Sequence, residues 1–107
     1  MTIESLGEII AERRVYLQAQ EGDRREIIVR LGKPQPFPGT SEDFYVPYEL
    51  VGVKRDSLHY AAGVDAVQAL QLVMLMIGAD LHAIARAQQA TISWLGGGEG
   101  DSGFPTH

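Results

Sequence analysis

The spacing of apolar side chains changes near residue 64, and this change restricts the fold more than any other feature of the sequence. In EIIVRL, residues 26–31, apolar and polar side chains alternate as in a strand that buries one face. From Val67 to Ile84 apolar side chains instead recur every three or four residues, as on one stripe of a helix. The pattern predicts an α+β fold: an antiparallel sheet of four or five strands with one long helix packed on one face.

Turn residues divide the first half of the chain into four predicted strands, at 9–17, 26–31, 43–53 and 58–62. Pro47 lies inside the third strand and has no N–H to donate, which favours an edge position or a bulge. GKPQPFPG, residues 32–39, contains three prolines and is predicted to be a loop that cannot join the sheet. TISWLG, residues 91–96, is expected to be a last short strand or an extended segment against the helix.

The helix is expected to begin at Asp65, because Gln68 follows three residues later as in a capping box. Its apolar stripe comprises Val67, Leu70, Met74, Ile77, Leu81 and Ile84 and extends it to about Arg86. We therefore expect a single α+β domain over residues 1–96 and a glycine-rich C-terminal tail over residues 97–107.

The tail contains GDSGFP, residues 100–105, which differs at one position from the GDSGGP around the reactive serine of chymotrypsin-like proteases. A nucleophilic serine needs a base and a third group that orients that base. None of the histidines, at 59, 82 and 107, has a spacing that suggests this role, and 107 residues are too few for two packed barrels. We expect Ser102 to have no catalytic role and the protein to have no catalytic residues.

Composition narrows the remaining classes. The chain has no cysteine and three scattered histidines, so we expect no metal site and no cofactor, and a cytoplasmic location. Its net charge of −5 argues against a nucleic-acid partner. The longest uninterrupted apolar stretch is far shorter than the roughly 20 residues that cross a membrane, so no membrane association is expected.

Acidic and aromatic side chains gather around the third and fourth strands. This predicted partner-binding surface consists of Glu42, Asp43, Tyr45, Tyr48, Glu49 and Asp56. It favours a non-enzymatic protein-binding module, for example an immunity protein or inhibitor that masks a basic toxin.

Two other interpretations remain open. A small-ligand-binding protein or enzyme would use a pocket between helix and sheet, with His59, Tyr48 or Tyr60. A structural homodimer would use the second apolar face of the helix, with Leu72, Leu75 and Met76. The segment around Trp94 or a different partner could cover the same helix face.

Several stretches, in this order, resemble a family of small uncharacterised bacterial proteins: VPYELVGV, YAAGVDAVQALQLVMLMIGADL, WLGG and GDSGFP. The resemblance covers nearly the whole chain and is most specific from Gly63 to Leu81. It implies a bacterial domain of unknown function without an activity that can be transferred. It also implies that GDSGFP is the closing turn of the family, in which Ser102 replaces an expected apolar residue.

Overall fold

An antiparallel sheet with a long helix across one face forms the protein. The computed structural model describes residues 3, 5–39, 42–53 and 58–106. Within them, six strands and one helix follow in the order β1 (Ile9–Ala19), β2 (Arg24–Gly32), β3 (Gln35–Pro36), β4 (Phe44–Val51), β5 (Leu58–Gly63), α1 (Ala66–Ala87) and β6 (Ala90–Trp94). The predicted α+β class is confirmed, but the sheet has six strands where four or five were expected.

The additional strand is β3, which lies in the segment predicted to be a loop. Gln35 and Pro36 pair with Tyr45 and Phe44, and the Phe37 N–H donates to the Asp43 carbonyl oxygen at 2.8 Å. A two-residue strand needs few backbone donors, so a proline can join it where its missing N–H faces away from the ladder. The proposed exclusion of this segment from the sheet is therefore wrong.

Strand β4 lies inside the sheet. One edge pairs with β5 along Phe44–Glu49, while the other pairs with β3 near Tyr45 and with β2 from Tyr48 to Val51. Pro47 falls between the stretches paired with β3 and β2, where no ladder bond is required of it. The expected edge position is thus wrong: the interruption that tolerates the proline is the break between β2 and β3.

The core lies between the sheet and α1. Alternation along each strand sends one set of side chains towards the helix, as predicted for Ile27, Val29 and Leu31. The other fully or nearly fully buried strand residues on this side of the sheet are Val15, Leu17, Val46, Tyr48, Leu50, Ala61 and Ile92.

Helix α1 begins as predicted. Asp65 is its N-cap and accepts a hydrogen bond from the Gln68 backbone N–H at 2.8 Å, while the Gln68 side chain accepts one from the Val64 N–H. The buried stripe differs from the predicted one and consists of Ala69, Val73, Ile77, Gly78, Leu81 and Ala85. Small residues at both ends let the helix approach the sheet closely, whereas Val67 is 63% exposed.

The C-terminal segment returns to the domain and packs against α1 and β1. Phe104 joins the core, and Gly78 makes room for the chain, since a Cβ there would lie 2.4 Å from the Pro105 carbonyl oxygen. The Arg13 guanidinium lies 3.8 Å from the Trp94 ring centroid and 4.9 Å from that of Phe104. It also donates to the Gly103 carbonyl oxygen at 2.7 Å, so one side chain of β1 holds β6 and the C-terminal segment together.

The helix is unusually apolar. Over an 18-residue window its mean hydropathy is 1.5, and 28% of that window is buried in the fold. By length and composition it could cross a membrane, a property that core helices of soluble proteins share.

Candidate functional site

The face of the sheet opposite α1, here called the outer sheet face, carries a cluster of three aromatic rings. Tyr45 of β4 and Tyr60 of β5 approach edge to face, with ring centroids 5.9 Å apart. Phe37, just after β3, lies 6.2 Å from Tyr45 and 6.1 Å from Tyr60. The three rings, called the aromatic cluster below, are half-buried, so each still presents part of its surface to solvent.

Strand pairing positions this cluster. Tyr45 pairs with Ala62 and Pro47 with Tyr60, so Tyr45 and Tyr60 are diagonal neighbours on one face. The β3–β4 ladder then brings Phe37 beside them. Pro47 is fully buried on the same face, which gives the rings a rigid floor.

Carboxylates lie before β4, close in sequence to Tyr45, and further along β4. Glu42 is exposed and Asp43 half-buried, and they precede β4, three and two residues before Tyr45. Glu49 lies four residues further along β4, about 13 Å from Tyr45. Its carboxylate is 3.9 Å from Arg30, whose Nε also lies 2.6 Å from Glu12.

Arg30 is thus shared by Glu12 and Glu49, and these three residues together have a net charge of −1. Glu42 and Asp43 make no side-chain ion pair within the described part of the chain. The acidic character predicted from the sequence is therefore concentrated at the β3–β4 turn.

One of the residues assigned to the partner-binding surface, Tyr48, is not found there. Tyr48 is fully buried and points towards α1, because residues three apart on a strand face opposite sides of the sheet. Its assignment beside Tyr45 is corrected accordingly. Asp56 lies outside the described residues.

Tyr48 instead forms a polar contact beneath the helix. Its hydroxyl donates to the carboxylate of Asp80 on α1, and the His59 ring lies 5.5 Å from the Tyr48 ring. Burial, and next the hydrogen bond and negative charge of Asp80, raise the pKa of the Tyr48 phenol far above its ordinary value. The phenol is therefore a hydrogen-bond donor that fastens the helix to the sheet.

The three residues expected to line a ligand pocket between helix and sheet do not lie together. Tyr60 faces the outer side while Tyr48 and His59 face the helix side, so the three side chains do not surround one space. Tyr48 has no exposed surface that could contact a ligand. A cavity of about 210 Å³ does lie between β1, β2, Met74 of α1 and the C-terminal segment, but none of these three side chains lines it.

A groove of about 530 Å³ lies elsewhere, between α1 and the C-terminal segment. Its polar lining includes His82, Arg86 and Asp101. Ser102 borders it but is 1% exposed, and its hydroxyl oxygen accepts a hydrogen bond from the Phe104 N–H at 3.2 Å. The Asp101 carboxylate accepts one from the Gly103 N–H at 2.7 Å.

These two bonds make GDSGFP a hydrogen-bonded turn, in keeping with the closing turn implied by the family resemblance. In the described ranges, no three side chains among His, Cys, Asp and Glu converge as metal ligands.

Sequence reasoning did not assign Phe37 or Tyr60 to the surface. The alternation in LHYAA could have placed Tyr60 on the same face as Tyr45 once the β4–β5 register was known. No alternation pattern could have placed Phe37, because the prolines around it are typical of a loop and gave no indication of β3.

Comparison with known proteins adds one identification. No curated protein and no solved structure matches the chain. The model of the DUF6968 family, a domain of unknown function, matches residues 11–106, which include the whole sheet from Ala11 onwards, the helix and the closing turn. The chain therefore belongs to the DUF6968 family.

Proposed function

We propose that the protein is a non-enzymatic protein-binding module that contacts its partner through the outer sheet face. The aromatic cluster of Phe37, Tyr45 and Tyr60 carries this proposal: three rings in mutual contact lie on a face that α1 does not cover. Partly exposed aromatic groups on a rigid support are typical centres of protein interfaces, because they bury large areas at low cost in side-chain entropy.

The charge around the cluster favours a basic partner. Glu42 and Asp43 lie three and two residues before Tyr45 in the chain, and the whole chain carries a net charge of −5. Carboxylates around an aromatic centre steer a basic protein into contact and disfavour acidic competitors. The same charge disfavours a nucleic-acid backbone.

Within this class, an immunity protein or inhibitor that covers the basic cleft of a bacterial toxin is the specific function that we propose. Such a module needs a stable framework and a rigid acidic surface, and it needs no catalytic group. The buried floor at Pro47 and the pairing of β4 on both edges supply that rigidity.

The test is a quantitative pull-down from the native bacterium at about 0.1 M and 1 M salt, since the Debye length falls from about 10 Å to 3 Å over this range. Two surface variants are compared with wild type: Glu42→Lys/Asp43→Lys, and Tyr45→Ala/Tyr60→Ala. Glu21→Lys/Asp23→Lys at the exposed β1–β2 turn is the matched control for the charge variant. Tyr16→Ala, on the same sheet face but beside Arg24 and outside the aromatic cluster, shows the effect of removing a tyrosine away from the cluster.

We expect wild type and both controls to capture the same basic protein at low salt and to lose most of it at high salt. Both surface variants should capture it poorly at either salt concentration. Capture of no basic protein, or equal loss in the surface and control variants, would contradict the proposal.

A further inference from the structure

Between Leu72 and Ala83 the side of α1 that faces away from the sheet is mainly apolar, which is unusual for a helix at the surface of a two-layer domain; exposed Gln68 and Gln71 lie on the turn before it. Leu72 is 39% and Met76 38% exposed, Leu75 is half-buried, and Ala79 and Ala83 are exposed. We call these five residues the apolar ridge. From Val67 to Ala83 the only formally charged side chain is Asp80, and it accepts the Tyr48 hydrogen bond.

We propose that the apolar ridge is the contact surface of a homodimer in which the α1 helices of two copies pack antiparallel about a two-fold axis near Leu75 and Met76. A two-fold axis brings the same patch of each copy together, so the surface must be complementary to itself. A ridge that is apolar at its centre satisfies this condition, because no like charges meet at the axis.

The charges at the two ends of the helix select the antiparallel arrangement. Asp65, the exposed N-cap, lies at one end and Arg86, also exposed, lies in the last turn at the other. In an antiparallel pair, Asp65 of each copy lies near Arg86 of the other, and the helix dipoles oppose. A parallel pair would bring the two arginines together.

The shape of the ridge also fits a second helix. Leu72, Ala79 and Arg86 are seven residues apart and share one side of the helix, as in the seam of a helix pair. Ala79 leaves a recess that opens into the groove of about 530 Å³ beside the C-terminal segment. About a central axis, Leu72 of the second copy lies over Ala79 and can enter this recess.

The area available predicts a weak dimer. A helix of 22 residues is about 33 Å long and 10 Å wide, so a contact along all of α1 covers about 330 Å², of which the apolar ridge at residues 72–83 supplies about 180 Å². A standard stable interface buries roughly 800 Å² per partner. We therefore expect association in the micromolar range. A membrane surface is the less favoured occupant, because an interfacial helix usually carries several Lys or Arg residues, whereas α1 has Arg86 and the chain is acidic.

Sedimentation equilibrium of the full chain over about 5 to 500 µM tests the association. Wild type should shift with concentration from 11.7 kDa towards twice that mass. Leu72→Glu and Met76→Glu should each raise the dissociation constant about tenfold or more, because Met76→Glu buries a carboxylate next to the axis and Leu72→Glu buries one over Ala79 of the second copy. Leu95→Glu is the matched control: Leu95 is 96% exposed, and its change should leave the dissociation constant unaltered.

The chain has no cysteine, so single cysteine variants report the orientation of the helices. Met76→Cys, next to the axis, should form a disulfide-linked dimer on mild oxidation. In an antiparallel pair Ala83→Cys places the two thiols roughly 20 Å apart, and it should react no faster than the collision control Leu95→Cys.

A monomer at every concentration would overturn the proposal, as would equal weakening by Leu95→Glu. Cross-linking of Ala83→Cys as fast as Met76→Cys would overturn the antiparallel arrangement. Co-sedimentation of monomeric protein with phosphatidylglycerol vesicles would assign the ridge to a lipid surface instead. Urea unfolding of each variant establishes that it is folded before its association is compared.

Discussion

Removal of the Tyr48 hydroxyl tests the polar contact that joins the helix to the sheet. In Tyr48→Phe the ring remains in the core, but Asp80 loses the hydrogen bond that it accepts. A hydrogen bond to a charged group contributes about 1.5–3 kcal/mol, and Asp80 is half-buried, so water replaces part of the lost interaction. We therefore expect the variant to be less stable by about 1–2 kcal/mol at pH 8.

The pH dependence of stability distinguishes the loss of the Tyr48 hydroxyl from a general destabilisation. The pKa of Tyr48 is raised in the folded protein, whereas a tyrosine in the unfolded chain has a pKa of about 10. Above pH 10 the unfolded chain releases this proton and the folded chain retains it, so stability falls as pH rises. At pH 11 the loss amounts to about 1.4 kcal/mol, and it is absent from Tyr48→Phe.

Urea denaturation at pH 8 and pH 11 measures this loss, with fluorescence of Trp94, the single tryptophan, as the signal. The stability difference between wild type and Tyr48→Phe should shrink by about 1.4 kcal/mol at the higher pH. Tyr16→Phe serves as the control and should retain the alkaline loss of the wild type. A difference between wild type and Tyr48→Phe that is the same at both pH values would refute the contact with Asp80.

Three further substitutions test the helix and the closing turn by urea denaturation. Gly78→Ala should lower the free energy of unfolding by about 1–3 kcal/mol, although alanine is the better helix former, because its Cβ meets the Pro105 carbonyl; an increase in stability would contradict this packing. Asp65→Ala should cost about 1 kcal/mol through loss of the N-cap, and an unchanged midpoint would exclude that role. Ser102→Ala should destabilise by about 1–3 kcal/mol, because the buried Phe104 N–H loses its acceptor; unchanged stability would contradict a structural role for the hydroxyl.

The sequence predicted those elements that are specified by residues close together in the chain. Asp65 and Gln68 identified the start of the helix, and alternation in EIIVRL identified the buried face of β2. The exact stripe of α1 was not predictable in this way. The buried stripe depends on how closely the helix packs on the sheet. Close packing favours the small side chains of Ala69 and Ala85 over the larger ones of the predicted stripe.

The candidate site depended on register, which the sequence determines only through long-range pairing. Tyr45 was identified, but its neighbours Phe37 and Tyr60 come from two other strands. Tyr48 was placed on the wrong face, although alternation from Tyr45 would have separated the two. Strand β3 was missed because a proline cannot donate a backbone hydrogen bond, so the prolines predicted a loop. The sequence does not show at which positions of a strand no donor is needed, and Pro36 occupies such a position.

The contact of Arg13 with the C-terminal segment also affects how the chain is completed during synthesis. Arg13 bonds to Gly103 across 90 residues, and β1 gains its second neighbour only when β6 has been made. The β1–β2 hairpin therefore leaves the ribosome with Val15 and Leu17 still uncovered by the strand and helix that later bury them. Such a nascent chain exposes the apolar side chains of β1 until α1 and β6 have been translated, which makes the interval before β6 emerges the period of greatest risk of aggregation.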